Sequence, residues 1–114
     1  MTLRHIQHNL PWTVPYSTEF NDSKRANPFR QIGHDTLHAM KSLGRVADQV
    51  EKADHAEAGG LACEIIMREI ASVMMACLHI AETVGGDIES AIQTRVMEKN
   101  GVPIPEEIPA RIGS

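Results

Sequence analysis

The fold class is decided by one stretch, Cys63 to Gly101, which reads CEIIMREIASVMMACLHIAETVGGDIESAIQTRVMEKNG. Apolar residues recur in and just before it with the spacing of one broad helical face: Leu61, Ile65, Ile70, Val73, Met74, Cys77, Leu78, Ala81 and Val84. Between Val73 and Ala81 the sequence is apolar nearly all the way round the helix. It therefore predicts a long central helix, from about Leu61 to Val84, that is covered on more than one side.

A glycine pair closes this helix and an acidic cap opens the next one. Gly85-Gly86 stops the apolar pattern, and Asp87 is a typical side-chain cap. The apolar stripe of the following helix consists of Ile88, Ala91, Ile92 and Val96. Asn100-Gly101 then predicts its end.

An earlier helix is predicted to begin at Asn27-Pro28, where a capping side chain precedes proline at the first helical position. Its apolar stripe, which we expect to face inward, consists of Phe29, Ile32, Leu37, Met40, Leu43, Val46, Ala47 and Val50. Gly33 and Gly44 each weaken this helix by about 1 kcal/mol relative to alanine, so close packing or a bend is expected there. The helix should end between Lys52 and His55.

The two ends of the chain differ from this helical centre. Residues 1–26 contain prolines and no sustained period, which predicts an extended N-terminal arm whose Trp12 and Tyr16 pack on the body or on a neighbouring subunit. Residues 102–114 contain three prolines and cannot continue a helix. The prediction is thus an all-α domain at 27–101, an antiparallel bundle of three main helices. Oligomerisation should complete its small core.

Composition excludes several classes of protein. The formal net charge of −4 and pI near 5.8 give no general attraction to nucleic acid or to an anionic membrane. No run approaches the ~20 apolar residues of a membrane span, and the N-terminus lacks the apolar core of a secretory signal. We therefore expect a cytoplasmic protein. Cys63 and Cys77 are too far apart on one helix to form a disulfide, and we expect them to be small buried hydrophobes.

One motif carries a family resemblance. The acid Glu69 opens the tetrapeptide EIAS, an apolar run follows, then comes the turn Gly85-Gly86-Asp87, and the last helix carries Arg95 and a Glu-Lys-Asn ending at Asn100. From about Phe29 to Gly101 this order resembles the all-α nucleoside triphosphate pyrophosphohydrolases related to MazG and the dimeric dUTPases.

The resemblance implies a Mg²⁺ site that hydrolyses a nucleoside triphosphate to the monophosphate and pyrophosphate. Such a site needs several carboxylates converging from neighbouring helices. The chain departs from the family pattern here. In the family, the first helix carries a set of glutamates, and the corresponding positions here are Lys41, Ser42 and Arg45. The family's second helix carries a glutamate and, three residues later, an aspartate; here these are Glu69 and Ser72. Of the expected carboxylates, only Glu69 is retained.

Two interpretations of the remaining charges stay open. Three acids of the first helix are spaced three residues apart: Asp48, Glu51 and Asp54. They either present carboxylates toward Glu69 as metal ligands or form a solvated charged face. Glu69 itself, among apolar neighbours, needs a cation. That cation is either a metal ion or a basic side chain of the first helix, Lys41 or Arg45.

Three histidines offer weaker signals. His34 and His38 have the i, i+4 spacing that holds zinc when a third ligand arrives, but lack the intervening glutamate of the metalloprotease motif. Two partly exposed histidines on a helix are the simpler interpretation. His79 lies inside the apolar run and is expected to be a hydrogen-bonded core or subunit-contact residue.

Two functions follow. In the first, the protein is a Mg²⁺-dependent pyrophosphohydrolase with Glu69, Asp48, Glu51 and Asp54 as ligands, its activity weak or lost. The phosphates would be held by Lys41, Arg45, Arg95 and Lys99. In the second, it is a catalytically silent helical dimer or tetramer that binds a nucleotide or a protein partner.

Overall fold

The computed structural model describes residues 1–10, 27–55 and 62–105. It contains four helices in these ranges: α1 (Leu3–Asn9), α2 (Pro28–Asp54), α3 (Cys63–Thr83) and α4 (Ile88–Asn100). No strand occurs in the described ranges, and the predicted all-α class is confirmed. None of the helices described there is long and apolar enough to cross a lipid bilayer.

The helix ends lie where local sequence places them. The Asn27 side chain accepts a hydrogen bond from the Arg30 amide, and Pro28 is the first helical residue. Gly85 and Gly101 have φ angles of 72° and 76°, the left-handed conformation that glycine adopts without a steric penalty. Asp87 caps α4 through the Glu89 amide at 3.2 Å. The predicted starts and stops of α2, α3 and α4 are thus confirmed to within two residues.

Helices α2 and α3 form an antiparallel hairpin. Contacts between them run in opposite directions along the two helices. They join Gln31 to Thr83, Asp35 to His79, and Arg45 to Glu69. This is the most extensive helix packing in the described part of the chain.

The N-terminal segment differs from the prediction. An extended arm was expected over residues 1–26, but Leu3–Asn9 is helical, and residues 11–26, including Trp12 and Tyr16, lie outside the described residues. Thr2 caps this helix by accepting a hydrogen bond from the His5 amide at 3.1 Å. Periodicity did not reveal the helix because seven residues hold fewer than two full turns of pattern.

Helix α1 joins α4 to the hairpin. It packs against both α3 and α4, and His8 Nδ1 lies 2.8 Å from a carboxylate oxygen of Glu82 near the end of α3. Within the described ranges α4 has no packing of similar extent with α2 or α3. The third main helix is therefore tied to the hairpin chiefly through α1.

The burial of α2 contradicts its predicted orientation. The stripe that was expected to face inward is largely exposed, with Phe29, Leu37 and Met40 at 84%, 64% and 62%. Asp35 and Ser42 are the residues of α2 that are buried instead. We predicted that the apolar stripe of α2 would face α3. In the single chain the stripe faces away from α3.

Helix α3 is only partly enclosed by its own chain. Among the described residues the buried apolar side chains are Ala76, Leu78 and Ala81, all on α3. Met67 and Met75 on the same helix are 66% and 46% exposed. The prediction that α3 is covered on more than one side is met only near its C-terminal end, where α1 packs.

The cysteines also differ from expectation. Cys63 and Cys77 are free thiols, as predicted, but both are exposed in the single chain rather than buried. The face of α3 that carries Cys77 has no covering helix within the described residues.

Candidate functional site

The acid singled out by the family resemblance lies between the two hairpin helices. Glu69 is 6% exposed, and its Oε2 atom lies 3.3 Å from Nη1 of Arg45. The Arg45 side chain is 55% exposed, so its guanidinium reaches in from the surface of α2. Of the two cations considered for Glu69, the structure supplies the basic side chain.

The other predicted metal ligands are on the exposed part of α2. Asp48 pairs with Lys52 at 3.0 Å, one helical turn further along, and Glu51 and Asp54 are exposed to solvent. Within the described residues, no group of three or more His, Cys, Asp or Glu side chains is placed to hold a metal ion. A resident Mg²⁺ needs several oxygen ligands, and this donor set does not fit one.

The predicted phosphate-binding residues form two separate groups. Lys41 and Arg45 lie on α2, one turn apart, whereas Lys99 is exposed near the end of α4. Arg95, also on α4, is paired with Glu98 at 3.0 Å. Because α2 and α4 do not pack closely in the described ranges, the structure brings only the first group near Glu69.

A second polar network, which the sequence analysis did not identify as a unit, occupies the other end of the hairpin interface. His79 Nδ1 lies 2.8 Å from Oδ2 of Asp35, and both side chains are about nine-tenths buried. Gln31 Nε2 lies 2.9 Å from His79 Nε2 and also donates to the Thr83 hydroxyl. Thr83 in turn donates to the backbone carbonyl of His79 at 2.9 Å.

The partners of His79 indicate where its proton lies. A carboxylate oxygen 2.8 Å from Nδ1 requires a proton on that nitrogen, because two lone pairs at that distance would repel. On the other side of the ring, the amide nitrogen of Gln31 lies 2.9 Å from Nε2. His79 is a hydrogen-bonded core histidine, as predicted.

The spacing of these two polar contacts has a geometric consequence. Asp35 with His79 and Arg45 with Glu69 are separated by ten residues on each helix, about 15 Å at 1.5 Å per residue. A slip of α3 along α2 would break both pairs and leave charges buried. Together they specify the alignment of the two helices.

The other two histidines lie next to each other on α2. The ring centroids of His34 and His38 are 4.4 Å apart with the planes tilted by 55°. No third ligand joins them among the described residues. His34 is half-buried and His38 is exposed, which is the partial exposure that the simpler interpretation expects.

A neutral side chain holds the glycine turn. Gln7 is 1% exposed, donates to the Gly86 carbonyl at 2.7 Å and accepts from the Ile88 amide at 3.0 Å. Sequence reasoning missed this residue, because one glutamine in a short polar segment carries no periodic signal.

An exposed ion pair lies beside this turn. Arg4 contacts Oδ2 of Asp87 at 2.7 Å. The hydrogen bond from Arg4 lowers the pKa of Asp87 below its ordinary value, and the Ser90 hydroxyl and the Glu89 amide act in the same direction. The pKa of Arg4 is raised by the same hydrogen bond.

Comparison with known proteins adds no relative. No family model, no curated protein and no solved structure matches this chain.

Proposed function

We propose that this chain is a catalytically silent relative of the MazG-like pyrophosphohydrolases, a helical homo-oligomer that binds a nucleotide without hydrolysing it. The observation that carries the proposal is the contact between Arg45 and Glu69. The family resemblance implies a metal ion beside this acid in an active enzyme, and in this chain a guanidinium lies beside it. With its charge already paired inside the hairpin, Glu69 has a structural reason to be there.

The charges around this contact support binding over hydrolysis. Lys41 lies one turn before Arg45 on α2 and both reach solvent, so the two cations can contact phosphate oxygens directly. Among the described residues, no group of three or more carboxylate, histidine or cysteine side chains is placed to gather Mg²⁺. We therefore place the triphosphate of the ligand against these two side chains.

Self-assembly is the second part of the proposal. Among the described residues only three apolar side chains are buried, which is a small core, and large apolar side chains remain exposed on both hairpin helices. A dimer, or a dimer of dimers, would cover them and complete the bundle. A monodisperse monomer at micromolar concentration, measured by light scattering, would contradict this part.

Hydrolysis remains the alternative, and one observation favours it: Glu69 is buried against α2, where the family resemblance requires an acid to face a neighbouring helix. In that case Arg45 would have to leave Glu69 when metal and nucleotide enter.

Pyrophosphate release from a panel of standard and modified nucleoside triphosphates, with Mg²⁺ or Mn²⁺, decides between these functions. We expect no release above background from the wild type, from Glu69→Ala or from Glu64→Ala, which removes an exposed acid of the same helix. Release that Glu69→Ala abolishes and Glu64→Ala preserves would establish the alternative.

Binding is measured in parallel by calorimetry with a non-hydrolysable triphosphate. We expect Lys41→Ala to weaken it about tenfold, since a charge-assisted contact to phosphate is lost. Arg95→Ala on α4 is the matched control and should bind as the wild type does. If the wild type shows no detectable binding, the nucleotide-binding part of the proposal is contradicted.

A further inference from the structure

The exposed face of α2 repeats every seven residues. Alternating steps of four and three residues along this face give the outer row: Phe29, Gly33, Thr36, Met40, Leu43, Ala47 and Val50, all exposed. This spacing is that of the a and d positions of a coiled coil, where two helices pack along a common seam. Single exposed apolar residues are ordinary, but five apolar side chains in a row of seven positions indicate a partner helix.

Helix α3 extends this row into a broader surface. The antiparallel pairing of the hairpin and the positions of Met67 and Met74 on α3 place these two residues on the same side as the outer row. Arg45, Arg68 and Glu64 occupy the opposite side. The hairpin therefore has an apolar side, formed by the outer row with Leu37, Met67 and Met74, and a polar side that carries the charges. It resembles half of a four-helix bundle.

We propose that the apolar side is covered by a second copy of this chain, with the two α2 helices antiparallel and related by twofold symmetry. This inference rests on the self-assembly proposed above and specifies its surface.

The area of the apolar side suits such a dimer. Its large side chains are between 39% and 84% exposed. Taking about 200 Å² for a fully open large apolar side chain, they leave on the order of 800 Å² in water. A standard interface takes about 800 Å² from each partner. One copy thus offers enough surface for a stable pair without any further element.

Two glycines of α2 agree with this arrangement. A Cβ atom added at Gly33 or Gly44 would meet nothing within 4 Å in the single chain, so packing within the chain does not explain either residue. In the antiparallel pair Gly33 faces Val50 of the second copy, and Gly44 faces Leu37 of the second copy. The missing side chains leave room for large ones.

The size of the side chains along the row selects the antiparallel direction. In a parallel pair like positions meet, so Gly33 of each copy would face Gly33 of the other and leave a gap in the seam. The antiparallel pair sets each Gly33 against Val50, and the two ends of the row then complement each other.

Sedimentation velocity of the full chain over a range of concentrations tests the inference. Leu43→Arg places a charge at the centre of the row, and Met75→Arg places the same charge on the polar side at a residue of similar exposure, 46% against 48%. We expect the dissociation constant to rise about 100-fold or more for Leu43→Arg, since an unpaired charge is buried twice in a symmetric interface. Met75→Arg should remain a dimer.

Cross-linking provides a second measurement that does not place a charge in the seam. In a chain whose exposed Cys63 and Cys77 are replaced by serine, Gly33→Cys and Val50→Cys together should form disulfides between the two copies under mild oxidation, and neither single variant should cross-link. If Leu43→Arg fails to fold, this cross-link decides. A cross-link in either single variant, or none in the double variant, would overturn the antiparallel pairing.

The remaining outcomes separate the two proposals. An oligomer that Leu43→Arg and Met75→Arg leave equally intact would overturn the apolar side as the interface, while self-assembly itself would stand. A wild type that stays monomeric at tens of micromolar would overturn both, and would assign the apolar side to a different protein.

Discussion

Two interfaces in this molecule bury polar groups in different ways. Between α2 and α3, charged side chains meet charged or ionisable side chains, as in Asp35 with His79. Where α1 meets the glycine turn, a neutral amide, Gln7, contacts backbone groups. We infer that the charged pairs fix the alignment of the two long helices, whereas the amide at the turn satisfies backbone groups that no helix satisfies. The comparison therefore predicts that removing one polar partner lowers stability by different amounts at the two interfaces.

The largest effect is expected in the hairpin. Asp35→Ala should lower the free energy of unfolding by about 3 kcal/mol, because it leaves a buried imidazole N–H without its carboxylate. Asp48→Ala removes an exposed acid of the same helix and should cost less than about 0.5 kcal/mol. Urea denaturation at one fixed protein concentration measures both, since self-assembly makes stability depend on concentration.

A double variant sharpens this prediction. Replacing Asp35 and His79 together with leucine removes both polar partners and should recover most of the loss. If Asp35→Ala destabilises no more than Asp48→Ala, the buried pair does not stabilise the hairpin and the contrast between the interfaces fails.

A smaller and more local effect is expected at the turn. Gln7→Ala leaves the Gly86 carbonyl and the Ile88 amide without their partner, which should cost about 1–2 kcal/mol. Hydrogen exchange should become faster at the Ile88 amide and stay unchanged in the middle of α2 and α3. Asn9→Ala, an exposed residue of the same helix, is the control. Faster exchange throughout the hairpin would mean that α1 is not a separate unit.

The smallest effect is expected for the exposed pair of Arg4 and Asp87. The folded-state pKa of Asp87 lies below its ordinary value of 3.8. The pair therefore favours the docked α1 above pH 3.8, and this contribution is lost as the pH falls through the lowered pKa. Solvent and salt screen the contact, so the change should be small. Hydrogen exchange at the Ile88 amide, measured between pH 5 and 2, should show this pH-dependent protection in the wild type and lack it in Arg4→Met. A pH profile that is the same in both proteins would contradict the prediction.

Local chemistry explains what could be predicted of the fold. Caps, prolines and glycines act within a few residues, and so Asn27, Gly85 and Asp87 mark helix ends in the sequence as they do in the structure. The pairing of Arg45 with Glu69 was one of two predicted alternatives, because a buried carboxylate requires a cation of some kind.

The orientation of α2 could not be predicted in the same way. An apolar stripe indicates a face that avoids water, but it does not say whether the covering surface belongs to the same chain. Met40 and Leu43 were therefore assigned to a contact with α3 that the single chain does not make. Asp35 was overlooked because an acidic residue on a helix is usually predicted to be solvent-exposed. Its burial follows only from its contact with His79, which the sequence does not reveal.

The position of α1 in the chain has a consequence for the order of folding. Its contacts with the turn join residues about 80 positions apart, such as Arg4 with Asp87, whereas the hairpin closes across the short connection between α2 and α3. Closing a long loop costs more conformational entropy than closing a short one. We therefore expect the hairpin to form first and α1 to dock afterwards, onto helices that are already paired.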